Sequence, residues 1–140
     1  MRPRLALVPG EPAGIGPELV VRAAQHDWSA DLTIFGDAET LHRATRTLQL
    51  PLQLHPAGSE ALHPRSLAIV EVPNVVAAPF GTPDPRNAAA VIASLTRAAQ
   101  GCLDGRFDGL VTGPVHKAAI NAGGIAYTGT TGLLAAQAGC

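Results

Sequence analysis

Two short polar segments hold the residues whose types and spacing could carry chemistry. The first, residues 113–117, ends in His116 and Lys117, which place a possible proton carrier beside a positive charge. In the second, Thr130 and Thr131 come just before an apolar run that predicts a helix. Because helix N-termini offer unpaired N–H groups to anions, the two segments together predict a cradle for a phosphorylated small molecule. The alternative is a strand–turn–helix connection with ordinary helix caps.

The turn that opens the first segment has a pattern of its own. A short apolar run ends just before Gly113, and a helix-like segment follows Pro114. Gly113 is expected to let the backbone turn sharply and approach a ligand closely. Pro114 is predicted to lie in the first turn of the helix, where its missing N–H costs nothing. Gly113, His116 and Lys117 are therefore candidate site-lining residues.

A second loop at a strand end contains the acidic candidate Glu11. Residues 4–8 are an apolar run, residues 9–16 are rich in Gly and Pro, and an apolar helix pattern follows. This order is the first half of a β-α-β unit. The loop is not a dinucleotide fingerprint, because Leu19 stands at the third glycine position, and it lacks the Gly-Lys-Ser/Thr of a P-loop. Glu11 either lines a site at the strand's carboxyl end or belongs to a well-packed connection.

Alternating apolar runs and helical patterns predict an α/β fold. The apolar runs predict strands at residues 4–8, 31–36, 50–54, 67–72 and 107–111. Helical patterns lie between them, the longest over residues 87–103, and Asp37 is suited to cap the second helix. We therefore predict a single α/β segment over residues 1–140, with a mostly parallel sheet and flanking helices. Both Gly-containing loops then share the carboxyl edge of the sheet, where such folds bind ligands.

Composition and charge argue against several classes of protein. The 140 residues are 46% hydrophobic and 15% charged, and the formal net charge of −1 argues against non-specific nucleic-acid binding. No apolar run approaches the length of a membrane span, and the one after Arg4 is too short for a signal-peptide core. Cys102 and Cys140 form no CxxC motif, so neither a zinc site nor a disulfide framework is predicted. We expect a cytoplasmic protein without nucleic-acid or membrane partners.

The histidines outside the first segment show no metal-binding spacing. His42 falls in the predicted second helix, where we expect it to be exposed. His55 and His63 fall in or beside a polar loop over residues 56–64, where we expect both to be solvated. The spacing of His55 and His63 matches no known metal motif.

Several of these motifs together resemble a known family. Residues 8–18 and 111–117 are similar to the 4-hydroxythreonine-4-phosphate dehydrogenases of pyridoxal-phosphate biosynthesis, and residues 120–129 extend the match. The resemblance implies a fold like that of the isocitrate and isopropylmalate dehydrogenases. It implies oxidation of 4-phosphohydroxy-L-threonine by NAD or NADP, followed by decarboxylation to an amino-hydroxyacetone phosphate. It also implies a homodimer and a divalent metal, Zn, Mg or Co, held by histidines of both subunits.

The chain departs from the family pattern at one motif. The family commonly reads Thr-Gly-His-Thr-Glu where residues 128–132 read Thr-Gly-Thr-Thr-Gly. The His and second Thr of that pattern contact substrate, so the resemblance implies that Thr130 and Thr131 bind substrate here. A threonine hydroxyl donates to a phosphate or carboxylate oxygen but carries no charge. Gly132 replaces an acidic residue at a helix start and is expected to weaken that helix.

The resemblance implies that the chain covers less than half of a family member. It would be the N-terminal part of a longer two-domain dehydrogenase, with the metal histidines, the main phosphate contacts and most of the nicotinamide site outside it. We therefore assign no catalytic residue and expect the chain alone to be inactive, to bind no metal tightly and to associate through uncovered apolar faces. Two alternatives remain: a paralogue acting on erythronate or threonate 4-phosphate, and a truncated remnant without catalysis.

Overall fold

Short aliphatic runs form one parallel sheet. The computed structural model describes residues 2–58 and 65–140, and within these it contains five strands. The strands are β1 Arg4–Val8, β2 Asp31–Gly36, β3 Gln53–Pro56, β4 Ser66–Glu71 and β5 Gly109–Thr112. Their order is β3-β4-β2-β1-β5, and all four pairings are parallel. The predicted α/β class is confirmed.

Helices connect the strands, and their first residues explain where they begin. They are α1 Gly16–Ala23, α2 Ala38–Leu48, α3 Ala88–Leu103, α4 Lys117–Ala122 and α5 Thr130–Ala138, with a 3₁₀ turn, Pro85–Asn87, before α3. Asp37 caps α2 as predicted, since its carboxylate accepts the N–H of Thr40 at 2.8 Å. Within the described ranges, no helix combines the length and apolarity needed to cross a membrane.

The helices cover both faces of the sheet, because successive strand residues point to opposite sides. Phe35 packs in a cluster with residues of β1 and α3, whereas its neighbour Ile34 packs with α1 and α2. Leu95 of α3 and Leu41 of α2 are fully buried on the two opposite sides. Burying these side chains on both faces holds the sheet rigid and fixes the positions of its carboxyl ends.

Two strands begin later than predicted. In each case the backbone N–H group of a residue predicted to start the strand bonds instead to the C-terminal end of the preceding helix. The third strand was predicted over residues 50–54, but Leu50 N–H bonds to Thr45 O and closes the end of α2. The last strand was predicted over residues 107–111, but Phe107 N–H bonds to Gly101 O at the end of α3. A donor that satisfies a helix C-terminus is not available to a strand ladder.

The histidine predictions have mixed outcomes. His42 is exposed on α2, as predicted. His55 was placed in a solvated loop, but it lies in β3 and is half-buried, because its parallel pairing with β4 continues through Pro56. His63 and the rest of residues 59–64 lie outside the described residues.

The loops that follow β1 and β5 cross in direct backbone contact. Val8 and Thr112 are paired in register, so both loops leave the sheet at the same level. The Gly113 N–H donates to Val8 O at 2.7 Å, and the Glu11 N–H donates to Pro114 O at 2.9 Å. A Cβ atom on Gly113 would overlap the carbonyl oxygen of Pro9. We call this crossing of residues 9–16 with residues 113–116 the loop seam.

We expect Gly113→Ala to lower the free energy of unfolding of this chain by about 2 kcal/mol or more, because the added methyl group meets rigid backbone. Gly132→Ala is the matched control. Gly132 lies inside α5 with only the flexible Thr128 hydroxyl nearby, so alanine should be neutral or stabilise by up to about 1 kcal/mol. Urea unfolding of both variants measures the difference. Equal midpoints would mean that the seam relaxes around a Cβ.

Candidate functional site

The loop seam brings Glu11 and His116 to the same edge of the sheet. Glu11 and His116 were predicted from separate motifs, and the structure places their loops in contact at the carboxyl ends of β1 and β5. The predicted sharing of one sheet edge is therefore confirmed. Parallel sheets bind ligands at this edge, because loops and helix N-termini gather there.

Glu11 is a buried acid within the seam. Only 6% of its surface is exposed, and its Oε1 accepts the N–H of Ala13 at 3.1 Å. Burial raises the pKa of the Glu11 carboxyl above its usual range, although the Ala13 N–H and the charge of His116 partly oppose this shift. The carboxyl group therefore binds a proton more readily than an exposed glutamate does.

His116 caps a helix, in agreement with the alternative interpretation of its segment as a connection with ordinary helix caps. Its Nδ1 accepts the N–H of Ala119 at 3.1 Å, so the imidazole is the N-cap of α4. An accepting Nδ1 requires the tautomer with its proton on Nε2. The ring is exposed at the carboxyl edge of the sheet.

One prediction about the turn before α4 is wrong. Pro114 does not lie in the first helical turn, because α4 begins at Lys117 and the carbonyl of Pro114 is used to accept the Glu11 N–H. On the side where a Cβ atom of Gly113 would lie, the group that approaches is the backbone of Pro9, and the close approach of a ligand to Gly113 stays a prediction. Both residues serve contact between the two loops.

Lys117 connects the seam to the beginning of α5. Its Nζ lies 4.0 Å from the position that a Cβ atom of Gly129 would occupy, and Gly129 is the N-cap of α5. In the described part of the chain, this ammonium group forms no ion pair. Since a helix N-terminus is itself partly positive, the arrangement concentrates positive potential at the start of α5.

Thr130 and Thr131 are not the caps of α5. They occupy its first two helical positions after Gly129, which provides no side-chain cap, so the simple N-cap interpretation is wrong. Thr131 is exposed, and its hydroxyl has no partner among the described residues. The Thr130 hydroxyl lies 2.5 Å from the phenol oxygen of Tyr127. The start of α5 therefore presents N–H groups and a hydroxyl to solvent.

Sequence reasoning gave no role to Asn121 or Tyr127. The Asn121 Oδ1 accepts the Tyr127 N–H at 2.9 Å and holds the turn before α5. Both residues lie in the segment that extended the family resemblance, which was the available signal. Over residues 2–58 and 65–140, no group of three or more His, Cys, Asp or Glu side chains could hold a metal ion.

The raised pKa of Glu11 predicts a pH-dependent stability. Between the usual carboxyl pKa and the raised value, the folded chain binds more protons than the unfolded chain. Stability therefore falls as pH rises through this window and stays lower above it. We expect Glu11→Gln to gain in Tm relative to the unsubstituted chain as pH rises from about 4 to about 8.

Glu39→Gln is a control, because the contribution of Glu39 to stability should change with pH in the opposite direction. The exposed Glu39 has a lowered pKa because Arg46 donates a hydrogen bond to it, so its stabilising effect appears as pH rises. The Tm difference between this variant and the unsubstituted chain should stay flat or fall over the same range, because surface pairs are weak. Thermal unfolding at several pH values tests both predictions. A Tm difference between Glu11→Gln and the unsubstituted chain that does not change with pH would contradict the raised pKa of Glu11.

Comparisons with known proteins agree with the motifs at this edge. The family model described as "Pyridoxal phosphate biosynthetic protein PdxA" matches residues 28–140. The 4-hydroxythreonine-4-phosphate dehydrogenase of Xanthomonas axonopodis pv. citri (strain 306) is 61% identical over 141 residues, which are 100% of this chain and 44% of the relative. The chain thus spans less than half the length of the curated relatives that it matches.

Solved structures share the fold. The crystal structure of a 4-hydroxythreonine-4-phosphate dehydrogenase from Burkholderia phymatum has a TM-score of 0.90 at 25% identity, over 99% of this chain and 44% of that one. A terephthalate 1,2-cis-dihydrodioldehydrogenase from Burkholderia xenovorans LB400 has a TM-score of 0.72 at 30% identity, over 91% and 38% of the two chains. The family model covers most of the chain, from the connection between α1 and β2 onward, and agrees with the resemblance drawn from the motifs. This chain belongs to the PdxA family of pyridoxal phosphate biosynthetic proteins.

Proposed function

We propose that this chain forms one wall of the substrate cleft of an NAD- or NADP-dependent 4-hydroxythreonine-4-phosphate dehydrogenase. The substrate would be 4-phosphohydroxy-L-threonine, oxidised and decarboxylated to an amino-hydroxyacetone phosphate. The observation that carries the proposal is the positive start of α5, where Lys117 Nζ lies beside Gly129. Family membership and the names of the relatives support the choice of reaction.

The residues at the start of α5 would bind an anionic group of the substrate. Thr131 offers a free hydroxyl, and the first N–H groups of α5 are not used by a side-chain cap. Lys117 adds a positive charge from the side of α4, and its flexible stem lets it follow the anion. Thr130 contributes a second hydroxyl held by Tyr127. Together these groups would orient the substrate and offset its negative charge.

Glu11, Gly113 and His116 would have supporting positions in this cleft. Gly113 allows the two loops to touch, and the buried Glu11 lies within the seam that they form. The exposed His116 would stand beside Lys117 at the rim. We assign none of the three a bond-making or bond-breaking step.

A nicotinamide dinucleotide, when bound, supplies the hydride acceptor for this reaction. The described residues do not by themselves fit a divalent metal, so no step is assigned to a metal held by this chain. We propose that it is the N-terminal part of a two-domain subunit that functions as a cytoplasmic homodimer. The free thiols of Cys102 and Cys140 are compatible with a reducing compartment.

A paralogue acting on erythronate or threonate 4-phosphate is the second candidate. Thr130 occupies the position at which the family commonly has a histidine, so one substrate contact is neutral here. The fold-level likeness to a dihydrodiol dehydrogenase supports the view that this architecture accommodates more than one alcohol. A non-catalytic remnant is the candidate from a different class.

The test is a fusion in which this chain replaces the matching 141-residue segment of the Xanthomonas axonopodis relative. We expect NAD(P) reduction with 4-phosphohydroxy-L-threonine and none by this chain alone. Faster turnover with erythronate or threonate 4-phosphate would favour the paralogue. A folded fusion that turns over none of these substrates would favour the remnant.

In the same fusion, Thr131→Ala should raise KM about tenfold or more, because a hydroxyl bond to a charged group is lost. Its Tm should change by less than about 2 °C, since the Thr131 hydroxyl has no partner within the described chain. Thr47→Ala, on the exposed face of α2, is the matched control and should leave KM unchanged. Equal KM values for both variants would remove Thr131 from the site.

A further inference from the structure

A buried phenol ends at the candidate substrate-binding residue Thr130. Tyr127 is 6% exposed and packs in the core cluster with Ile120 and Ala88. Its backbone N–H is held by Asn121 Oδ1, and its hydroxyl lies 2.5 Å from Thr130 Oγ1. The ring is therefore fixed by packing, its backbone by Asn121, and its hydroxyl by one specific contact.

The chemistry of the two hydroxyls indicates which one donates. A phenol is a far stronger acid than an aliphatic alcohol and is the better hydrogen-bond donor, whereas the threonine oxygen is the better acceptor. Among the described residues, no backbone carbonyl accepts a hydrogen bond from Thr130 Oγ1. If Tyr127 donates, the hydrogen of Thr130 stays available and points away from the phenol.

We propose that Tyr127 is a positioning residue that donates to Thr130 and leaves the Thr130 hydrogen free to donate to the substrate. The inference rests on the proposed function, since it takes the start of α5 as the substrate site. The free hydrogen of Thr130 would then meet an oxygen acceptor, such as a carboxylate or phosphate oxygen of the substrate. A threonine oxygen has two acceptor lone pairs, and the phenol occupies one of them and orients the Thr130 hydrogen away from Tyr127.

Donor direction can be tested on this chain without any turnover. Tyr127 is the sole tyrosine of the sequence, so the tyrosine Fermi doublet in the Raman spectrum reports on this one phenol. The intensity ratio of the doublet separates a phenol that donates from one that accepts. We expect the donor pattern, lost in Thr130→Val, which keeps the shape of the side chain without its hydroxyl. An acceptor pattern would overturn the inference.

The kinetic test uses the fusion described above. Tyr127→Phe removes only the hydroxyl and should raise KM about fivefold, with kcat changed by less than about twofold, because a ground-state binding contact loses its orientation. If the phenol acts through Thr130, adding Tyr127→Phe to Thr130→Val should raise KM no further. Thr130→Ser keeps a hydroxyl and should keep most of the affinity for the substrate while Tyr127 is present. The double variant with Tyr127→Phe should lose that affinity.

Ile120→Val controls for a merely structural effect. Ile120 is fully buried in the same cluster, but its side chain forms no hydrogen bond with the hydroxyl of Tyr127 or Thr130. The variant should therefore lower Tm by a few degrees and leave KM unchanged. A KM that follows Tm across all variants would overturn the positioning role. If Thr130→Val raises KM but Tyr127→Phe does not, the positioning role alone fails. If Thr130→Val has no effect, the proposed substrate role of Thr130 fails as well.

Discussion

The crossing of two loop backbones at the carboxyl ends of β1 and β5 is the constraint on which the candidate site depends. Backbones approach this closely only where side chains are missing, and a Cβ atom on Gly10, Gly16 or Gly113 would each overlap a carbonyl oxygen of the crossing loops. The Glu11 N–H to Pro114 O bond then ties the loops together. Because β1 is an inner strand of the packed sheet and β5 pairs with it, the seam inherits the rigidity of β1.

The seam also divides the polar residues between structural and exposed roles. Glu11 is buried in the seam, which raises its carboxyl pKa, and His116 uses Nδ1 to cap α4. Lys117 is the first residue past that cap, and its ammonium extends toward Gly129. The imidazole and carboxyl are thus held by the fold, whereas the positive charge remains available. Available charge beside an uncapped helix start is the arrangement that an anionic substrate requires.

The sequence predicted features that depend on local periodicity, and missed those that depend on tertiary geometry. The α/β class, β1, β2 and the Asp37 cap follow from apolar spacing and side-chain chemistry close in sequence. The starts of β3 and β5 were missed because Leu50 and Phe107 use their N–H groups on helix ends. The candidates at Glu11 and within residues 113–117 came from patterns at strand ends, whereas the substrate roles of Thr130 and Thr131 came from the resemblance. No pattern reveals that the Tyr127 phenol turns toward Thr130, since core packing sets that direction.

Part of the open apolar surface lies around the carboxyl edge of the sheet, and part lies elsewhere, as at Trp28 and Leu103. Ile15 and Leu19, at the start of α1, and Val111, on β5, are each at least half exposed. In the described chain β5 pairs with β1 alone, and α5 has no buried residue. Exposed apolar side chains beside an edge strand mark surfaces that other polypeptide covers. The relatives are more than twice as long as this chain. Our proposal of a cleft with its opposite wall in further polypeptide draws support from the open surface near this edge and from the one-sided set of polar groups.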